Sequence, residues 1–186
     1  MESIIRKNSF IVTGASATGK STLINEAIKN GYIYLPTHMT RKPRVNEQNG
    51  RDAIFLTDEQ FEKNFHSGLY IEESLDFARL KSLGVYYGSP REWYSLLKNY
   101  GYCATPVSTQ IARNIRERTP LIWIHLYCDD DDRFNRLILR GISEEEAYKR
   151  MVSGDSIYMP SEAIAVNTSK NSPKEIIEQI GGMIYE

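Results

Sequence analysis

Residues 14 to 21 of this chain read Gly-Ala-Ser-Ala-Thr-Gly-Lys-Ser, which is the spacing of a phosphate-binding loop. The apolar run 10–12 precedes this segment, and helix-forming sequence follows it. Glycines let the backbone curl so that successive N–H groups point at phosphate oxygens, and the N-terminus of the following helix adds a positive dipole end. The pattern therefore predicts a strand, a loop and a helix that together bind a nucleoside triphosphate.

The residues of this loop have separate predicted roles. Lys20 would reach the β- and γ-phosphates, and the hydroxyl of Ser21 would bind Mg²⁺. A glycine-rich turn that merely caps a helix is the alternative, but the fixed positions coincide by chance in under about one per cent of chains this long. The predicted cofactors are ATP and Mg²⁺, and the predicted ATP-binding residues of the loop are Gly14, Ala15, Ser16, Ala17, Thr18, Gly19, Lys20, Ser21 and Thr22.

Short apolar runs alternate with helical stretches along the whole chain. This alternation predicts an α/β fold with a parallel sheet. Helix starts are marked by four predicted capping boxes, at Thr57, Ser89, Ser143 and Ser172. The candidate core strands are residues 10–13, 32–35, 102–107, 121–127 and 164–166.

Bulk properties limit the class of protein. The 186 residues suit one domain, and the 23 basic and 24 acidic side chains give a net charge of −1. No nucleic-acid or membrane partner is expected from that balance. Cys103 and Cys128 are interpreted as small core residues in a reducing compartment, and the short apolar pair Ile4-Ile5 is no signal-peptide core, so we expect a cytoplasmic protein.

Residues 36 to 88 interrupt the alternation. Pro36, Pro43, Asn49-Gly50 and Gly68 separate short strand-like pieces, at 53–56 and 85–87, around one helix near 58–65. This segment follows the second predicted strand, and ligands of such sheets bind at the carboxyl ends of the strands. The insertion is therefore predicted to hold the acceptor of a phosphoryl group.

Several short motifs resemble guanylate kinases in their order and spacing. They are the loop 14–21, Thr40-Arg41-Lys42-Pro43-Arg44, Asn49-Gly50-Arg51-Asp52, Tyr86-Tyr87-Gly88-Ser89-Pro90, and Arg136-Leu137 with Arg140-Gly141. The resemblance implies a P-loop NTPase-type parallel sheet core with helices on both faces. It also implies that residues 1–186 form one domain, with a core at 1–35 and 89–186, an acceptor-binding lobe at about 36–88 and a helical lid at about 141–152.

The resemblance also assigns roles to individual residues. The implied catalytic residues are Lys20, Arg41, Arg44, Arg140 and Arg150, the last two from the lid. Asn167 would line the adenine pocket. The implied acceptor-binding residues are Thr37, Arg41, Arg44, Glu72 or its neighbour Glu73, Tyr87, Ser89 and Ser108.

This chain departs from the family pattern on the acceptor side. Ala53 stands where a phosphate-binding tyrosine is expected, and Thr37 replaces a serine. The family's D-x-D-x-Q-G reads Pro106-Val107-Ser108-Thr109-Gln110-Ile111, so both aspartates are missing. Glu72, Glu73 and Asp76 are the remaining candidates for a carboxylate near the metal.

Each of these residues also has a structural interpretation. If the order of the motifs is ignored, Arg41 and Arg44 are as consistent with solvated surface residues as with functional ones. Arg140 could complement a helix dipole. Tyr87 could be a packing residue, the histidines are interpreted as structural, and residues 129–132 as a solvated helix cap.

The function expected from the residues and the resemblance is ATP-dependent phosphoryl transfer to a nucleoside 5′-monophosphate, with GMP or dGMP as first choice. The first alternative is a kinase for another phosphorylated small molecule, such as ribose 1,5-bisphosphate or a modified nucleotide. The second is a guanylate-kinase-like interaction module without catalysis. The partner is thus a small molecule, and a monomer and a homodimer are both left open.

Overall fold

The computed structural model describes residues 8–71, 84–106, 108–152 and 159–183. The described strands are β1 (Phe10–Gly14), β2 (Ile33–Leu35), β3 (His38–Met39), β4 (Ile54–Phe55), β5 (Tyr87–Gly88), β6 (Tyr102–Ala104), β7 (Ile122–Tyr127) and β8 (Ile164–Asn167). The described helices are α1 (Lys20–Lys29), α2 (Asp58–His66), α3 (Trp93–Leu96), α4 (Thr109–Arg118), α5 (Asp130–Ile138), α6 (Glu144–Met151) and α7 (Pro173–Gly182).

The larger sheet has five parallel strands in the order β2-β6-β1-β7-β8. Its central strand β1 is apolar and fully buried from Phe10 to Val12, as expected for a strand covered on both faces. Phe10 and Val12 pack in a cluster with residues of α1 and α7, whereas Ile11 packs in a cluster with residues of α3 and α4. The predicted fold class, a parallel sheet with helices on both faces, is confirmed.

The smaller sheet lies in the segment predicted as an insertion. Its order is β4-β3-β5, with β3 parallel to β4 and antiparallel to β5. Helix α2 begins at a full capping box, in which Thr57 Oγ1 accepts from the N–H of Gln60 and the N–H of Thr57 donates to the Gln60 side chain. The ring of Phe61 stacks on those of Tyr70 and Tyr86, with centroids 4.6 and 5.2 Å apart. This part of the chain therefore has its own aromatic core.

Three sequence predictions differ from the structure. The capping box predicted at Ser143 is only half formed: Ser143 Oγ accepts from the N–H of Glu146 at 3.3 Å, while Glu146 Oε1 accepts from Arg150 Nε. The strand predicted at 102–107 ends at Ala104, because Pro106 has no N–H with which to extend the ladder, and Val107 lies outside the described residues. The predicted capping box at Ser89 is wrong: helix α3 begins at Trp93 with Glu92 as its N-cap, and Ser89 is fully buried. Among the described helices, none is long and apolar enough to cross a membrane.

Candidate active site

The loop between β1 and α1 lies at the carboxyl edge of the larger sheet. Gly14 has a φ of +137°, and a Cβ there would lie 2.3 Å from the carbonyl oxygen of Leu126 on β7. Gly19 has a φ of +100° and is the N-cap of α1. Side chains are strained or excluded at both positions, so these glycines are what allows the loop to curl against the neighbouring strand.

Lys20 is the first residue of α1 and folds back over the loop. Its Nζ donates to the carbonyl oxygens of Gly14 and Ala15, at 2.6 and 2.8 Å. The hydroxyl of Thr18 donates to Ala15 O at 2.9 Å and stabilises the turn. The ammonium group is thus held at the loop that the sequence predicts to bind phosphate.

One cavity joins this loop to the smaller sheet. It has a volume of about 280 Å³, and its lining includes Lys20 and Ser21 from α1 together with side chains of the segment 37–52 and of β5. The predicted site residues that share it are Lys20, Ser21, Thr37, Arg41, Arg44 and Tyr87. The fold therefore brings residues from three separated segments into one cavity. Some of them are predicted to bind the phosphoryl donor and others the acceptor.

Two of these arginines converge on a carboxylate within the cavity. Arg41 donates from Nη1 and Nη2 to the two oxygens of Glu47, at 2.6 and 2.8 Å. The backbone N–H of Arg44 donates to Glu47 Oε2 at 2.9 Å, and the Arg44 guanidinium lies 3.6 Å from Oε1. The hydrogen bonds from Arg41 hold the pKa of Glu47 below its usual range. Glu47 therefore fixes the position of Arg41, whose guanidinium also lies 5.5 Å from the centre of the Phe55 ring.

The other predicted acceptor residues are not all in this cavity. Thr37 lines it, and its Oγ1 donates to Thr105 O at 2.8 Å. Ser89 is fully buried and is not part of the lining, and Ala53 is 1% exposed and brings no hydroxyl to it. Ser108 is the N-cap of α4, where its Oγ accepts from the N–H of Ile111 at 3.2 Å. Glu72, Glu73 and Asp76 lie outside the described residues.

A second cavity lies on the other side of the loop. Its volume is about 430 Å³, and it is lined by loop residues, by Arg136 and Arg140 of the α5 region and by residues that follow β8. Asn167, predicted for the adenine pocket, is not among them. Its Nδ2 donates to Asp129 Oδ1 at 2.9 Å and its Oδ1 accepts from the N–H of Ser169 at 2.8 Å, while Thr168 and Asn171 line the cavity instead.

A family model and curated relatives identify the family of this chain. The family model for guanylate kinase matches residues 6–172. The chain belongs to the guanylate kinase family. The guanylate kinase of Prochlorococcus marinus is 33% identical over 150 residues, covering 78% of each chain. That of Protochlamydia amoebophila is 28% identical over 148 residues, covering 77% of this chain and 72% of the relative.

A solved structure adds evidence on the fold alone. The crystal structure of guanylate kinase from Anaplasma phagocytophilum matches 95% of this chain and 83% of its own, with a TM-score of 0.61 at 18% identity. The predictions of the family, of the fold and of an enzyme of the nucleoside monophosphate kinase class are confirmed. Membership also implies a small nucleotide substrate, ATP as donor and, typically, Mg²⁺.

The residues around the loop fit a magnesium ion that is bound mainly through substrate phosphates. Ser21 offers one hydroxyl ligand, and the described residues contain no group of three or more His, Cys, Asp or Glu side chains that could hold a metal by themselves. Mg²⁺ commonly keeps several waters and binds substrate phosphates with few protein ligands. In this family member Ser21 is therefore the residue proposed to hold the ion, with the triphosphate supplying the charge.

Arg140, at the second cavity, lies near several other positive charges. Partial burial and the charges of Arg44, Arg136 and Arg150 lower the pKa of Arg140. Arg150 donates from Nε to Glu146 Oε1 at 2.9 Å, one turn back on α6. Arg140 is thus close enough to Arg44 and to Arg150 to be repelled by each of them.

Sequence reasoning missed two residues that organise this site. Glu47 was not predicted, although it is the first acidic residue after Arg41 and Arg44. Arg133, which is 4% exposed, donates from Nε to Ser16 O at 3.0 Å and from Nη2 to Arg150 O at 2.8 Å. The sequence holds a signal for this residue. Arg133 precedes Leu137 by four positions, so both lie on the same, buried face of α5, where an apolar residue would be expected.

Proposed function

We propose that this chain transfers the γ-phosphoryl group of ATP to the phosphate of a nucleoside 5′-monophosphate, with GMP or dGMP as the preferred acceptor. The observation that carries the proposal is the cavity shared by Lys20 and Ser21 with Arg41, Arg44 and Tyr87. A donor held by the loop and an acceptor phosphate held by the arginines would meet there, as transfer between two phosphates requires.

Transfer between two phosphates requires mainly alignment of the donor and acceptor and positive charge around them. Phosphoryl transfer has a loose transition state whose charge is spread over the moving group, and the acceptor phosphate needs no strong base. Lys20 would bind the β- and γ-phosphates, Arg41 and Arg44 the acceptor phosphate, and Arg140 and Arg150 would approach from the lid. Bound Mg²⁺ would neutralise charge on the triphosphate. The repulsion of Arg140 by Arg44 and Arg150 would be relieved when phosphate groups enter between them.

A second candidate function keeps the donor and changes the acceptor. Two positions favour it: Ala53 offers no hydroxyl, and Ser108 caps α4 instead of lining the cavity that holds Arg41 and Arg44. A carboxylate that reads guanine is a charge-assisted contact worth about 1.5–3 kcal/mol. The carboxylates that line that cavity, Glu47 and Asp52, are already paired with Arg41 and Arg51. The acceptor in this case is a sugar phosphate such as ribose 1,5-bisphosphate or a modified nucleotide.

An acceptor screen separates these candidates. ADP release is coupled to a spectrophotometric readout with ATP, Mg²⁺ and a panel of GMP, dGMP, AMP, CMP, UMP and ribose 1,5-bisphosphate. The highest kcat/KM with GMP or dGMP supports the first candidate, and the highest value with the sugar phosphate supports the second. Absence of transfer to every panel member would contradict the proposed preference for GMP.

Lys20→Ala tests the donor side of the proposal. Loss of the ammonium group at the loop should lower kcat with the best acceptor by about a thousandfold or more, because this cation then no longer stabilises the negative charge on the transferring group. Lys29→Ala, at the exposed last turn of the same helix, is the matched control and should retain full activity. Substantial turnover by Lys20→Ala would refute the proposed role of the loop.

A further inference from the structure

A small cavity beside Lys20 has a composition that the proposed function does not explain. Its volume is about 100 Å³, and it is lined by Thr13, Gly14, Lys20, Pro106, Ser108, Thr109 and His125. Most of these residues come from strands β1 and β7 and from the starts of α1 and α4, and Pro106 follows β6. The lining contains an ammonium group, an imidazole, the hydroxyl groups of Thr13, Ser108 and Thr109, and no carboxylate. The cavity is therefore rich in hydrogen-bond donors.

The histidine is buried at a defined position of the sheet. His125 is 5% exposed and pairs with Thr13 in the register of β1 and β7. Its Nδ1 lies 2.9 Å from Thr13 Oγ1, which also accepts from Trp123 Nε1 at 2.8 Å. Within the described residues, no partner is found for its other ring nitrogen.

This network assigns the tautomer of His125. The indole N–H of Trp123 can only donate, so Thr13 Oγ1 accepts from it. The buried hydroxyl hydrogen of Thr13 then needs an acceptor, and Nδ1 of His125 is the one within reach. The ring proton is consequently on Nε2. Burial and the charge of Lys20 lower the pKa of His125, so the ring is neutral near pH 7 and Nε2 is a donor.

We propose that His125 Nε2 donates a hydrogen bond to an oxygen of the γ-phosphoryl group of the bound triphosphate, in the cavity beside Lys20. The inference rests on the proposed donor side of the function and adds a contact that the loop itself does not make. The N-terminal end of α4 also borders this cavity, and its positive dipole end favours the same negatively charged oxygen. His125 thereby binds the group that moves.

The test compares two ligands that differ in the terminal phosphate. Affinities for AMP-PNP and for ADP, each with Mg²⁺, are measured by calorimetry on the full chain. His125→Phe removes both ring nitrogens, and we expect AMP-PNP affinity to fall about tenfold or more, with ADP affinity changed less than about twofold. Retained ADP binding also shows that the variant is folded at the loop.

Two further variants separate a donor from a structural role. The side-chain amide of Gln reaches the position of Nε2, whereas that of Asn matches Nδ1 and keeps the contact with Thr13. His125→Gln should therefore retain most of the preference for AMP-PNP over ADP, and His125→Asn should lose it. His66→Phe, on the exposed end of α2, is the control for the same chemical change.

The outcomes distinguish this inference from the proposed function. If the ratio of AMP-PNP affinity to ADP affinity were unchanged in His125→Phe, the proposed contact with the γ-phosphoryl group would be overturned. The role of Lys20 would not be affected. The same would follow if His125→Asn kept the ratio and His125→Gln lost it. Failure of the wild-type chain to bind AMP-PNP at all would instead refute the donor side of the function.

Discussion

At the scale of single residues, Glu47 links Arg41 and Arg44 in the cavity that joins the loop to the smaller sheet. The side chains of Arg41 and Glu47 are only 19% and 20% exposed, and their two hydrogen bonds are parallel and short. A partly buried bidentate pair of this kind fixes an arginine more firmly than an exposed ion pair does. Arg41 therefore has little conformational freedom left to lose, which would reduce the entropy lost if it binds the proposed acceptor phosphate.

Glu47→Gln tests this positioning role. The amide loses the charge that orients Arg41 and cannot accept from both Nη atoms, so the KM for the acceptor should rise about tenfold, while the KM for ATP stays within about twofold. Steady-state kinetics with each substrate varied in turn measures both. Glu117→Gln, an exposed site on α4, is the control for the change of charge. A lower acceptor KM would instead show that Glu47 competes with the acceptor phosphate.

At the scale of secondary-structure elements, α5 connects the phosphate-binding loop to the end of α6. Arg133 makes this connection with hydrogen bonds to Ser16 O and Arg150 O, and Arg136 adds a bond to Thr168 Oγ1 at 2.9 Å. The elements meet around a small apolar cluster that contains Ala17, Leu137 and Ala147. The position of the predicted lid is thus tied to the position of the loop.

Arg133→Met should weaken this connection. It keeps most of the apolar volume but leaves two carbonyl oxygens without their donor, at a cost of about 1–3 kcal/mol each where no water replaces it. We expect a lower midpoint in urea unfolding and a weaker affinity for ADP with Mg²⁺. Arg113→Met, at an ion pair with Glu162 on the surface of α4, is the matched control and should change neither quantity much. An unchanged ADP affinity in Arg133→Met would show that the loop holds its shape without α5.

Helix α7 gives a second prediction at this scale. Ser172 Oγ accepts from the N–H of Glu175 at 3.3 Å, and the N–H of Ser172 donates to the Glu175 carboxylate at 2.8 Å. Ser172→Ala should reduce the free energy of unfolding by about 1 kcal/mol, measured by urea denaturation, because both halves of the capping box are disturbed. Ser172→Asp restores a side-chain acceptor and should recover most of the stability; if it did not, the cap would not be the cause.

At the scale of the whole molecule, ligand binding should be visible as stability. The loop lies at the edge of the central sheet, and any ligand that binds only the folded state stabilises it, by about 2.7 kcal/mol at a hundredfold excess over Kd. ATP with Mg²⁺ should therefore raise the melting temperature of the wild-type chain by several degrees, measured by differential scanning fluorimetry. Lys20→Ala should show a much smaller rise and Lys29→Ala the full one. Equal shifts in all three proteins would place the binding outside the loop.

The local sequence was sufficient for the loop and for most of the elements. Gly14 and Gly19 are placed by backbone requirements that no other residue meets at low cost, and Lys20 and Ser21 follow at fixed distances along the chain. The capping boxes at Thr57 and Ser172 are also local, because each involves residues three apart. The short apolar strands and their alternation with helices were enough to predict the parallel sheet.

Only the tertiary structure decided which side chains meet. Glu47 contacts Arg41, Arg133 contacts Ser16, and His125 contacts Thr13. The partners lie in different elements or turns, so no periodicity of one segment predicts them. Ser108 is the opposite case: its local role as the N-cap of α4 places it at the cavity beside Lys20, and it does not line the cavity that contains Arg41 and Arg44. The sequence by itself determined the loop and the sheet, because backbone geometry is local. The lining of each cavity depended on how the strand ends and helices pack, because that packing brings distant residues together.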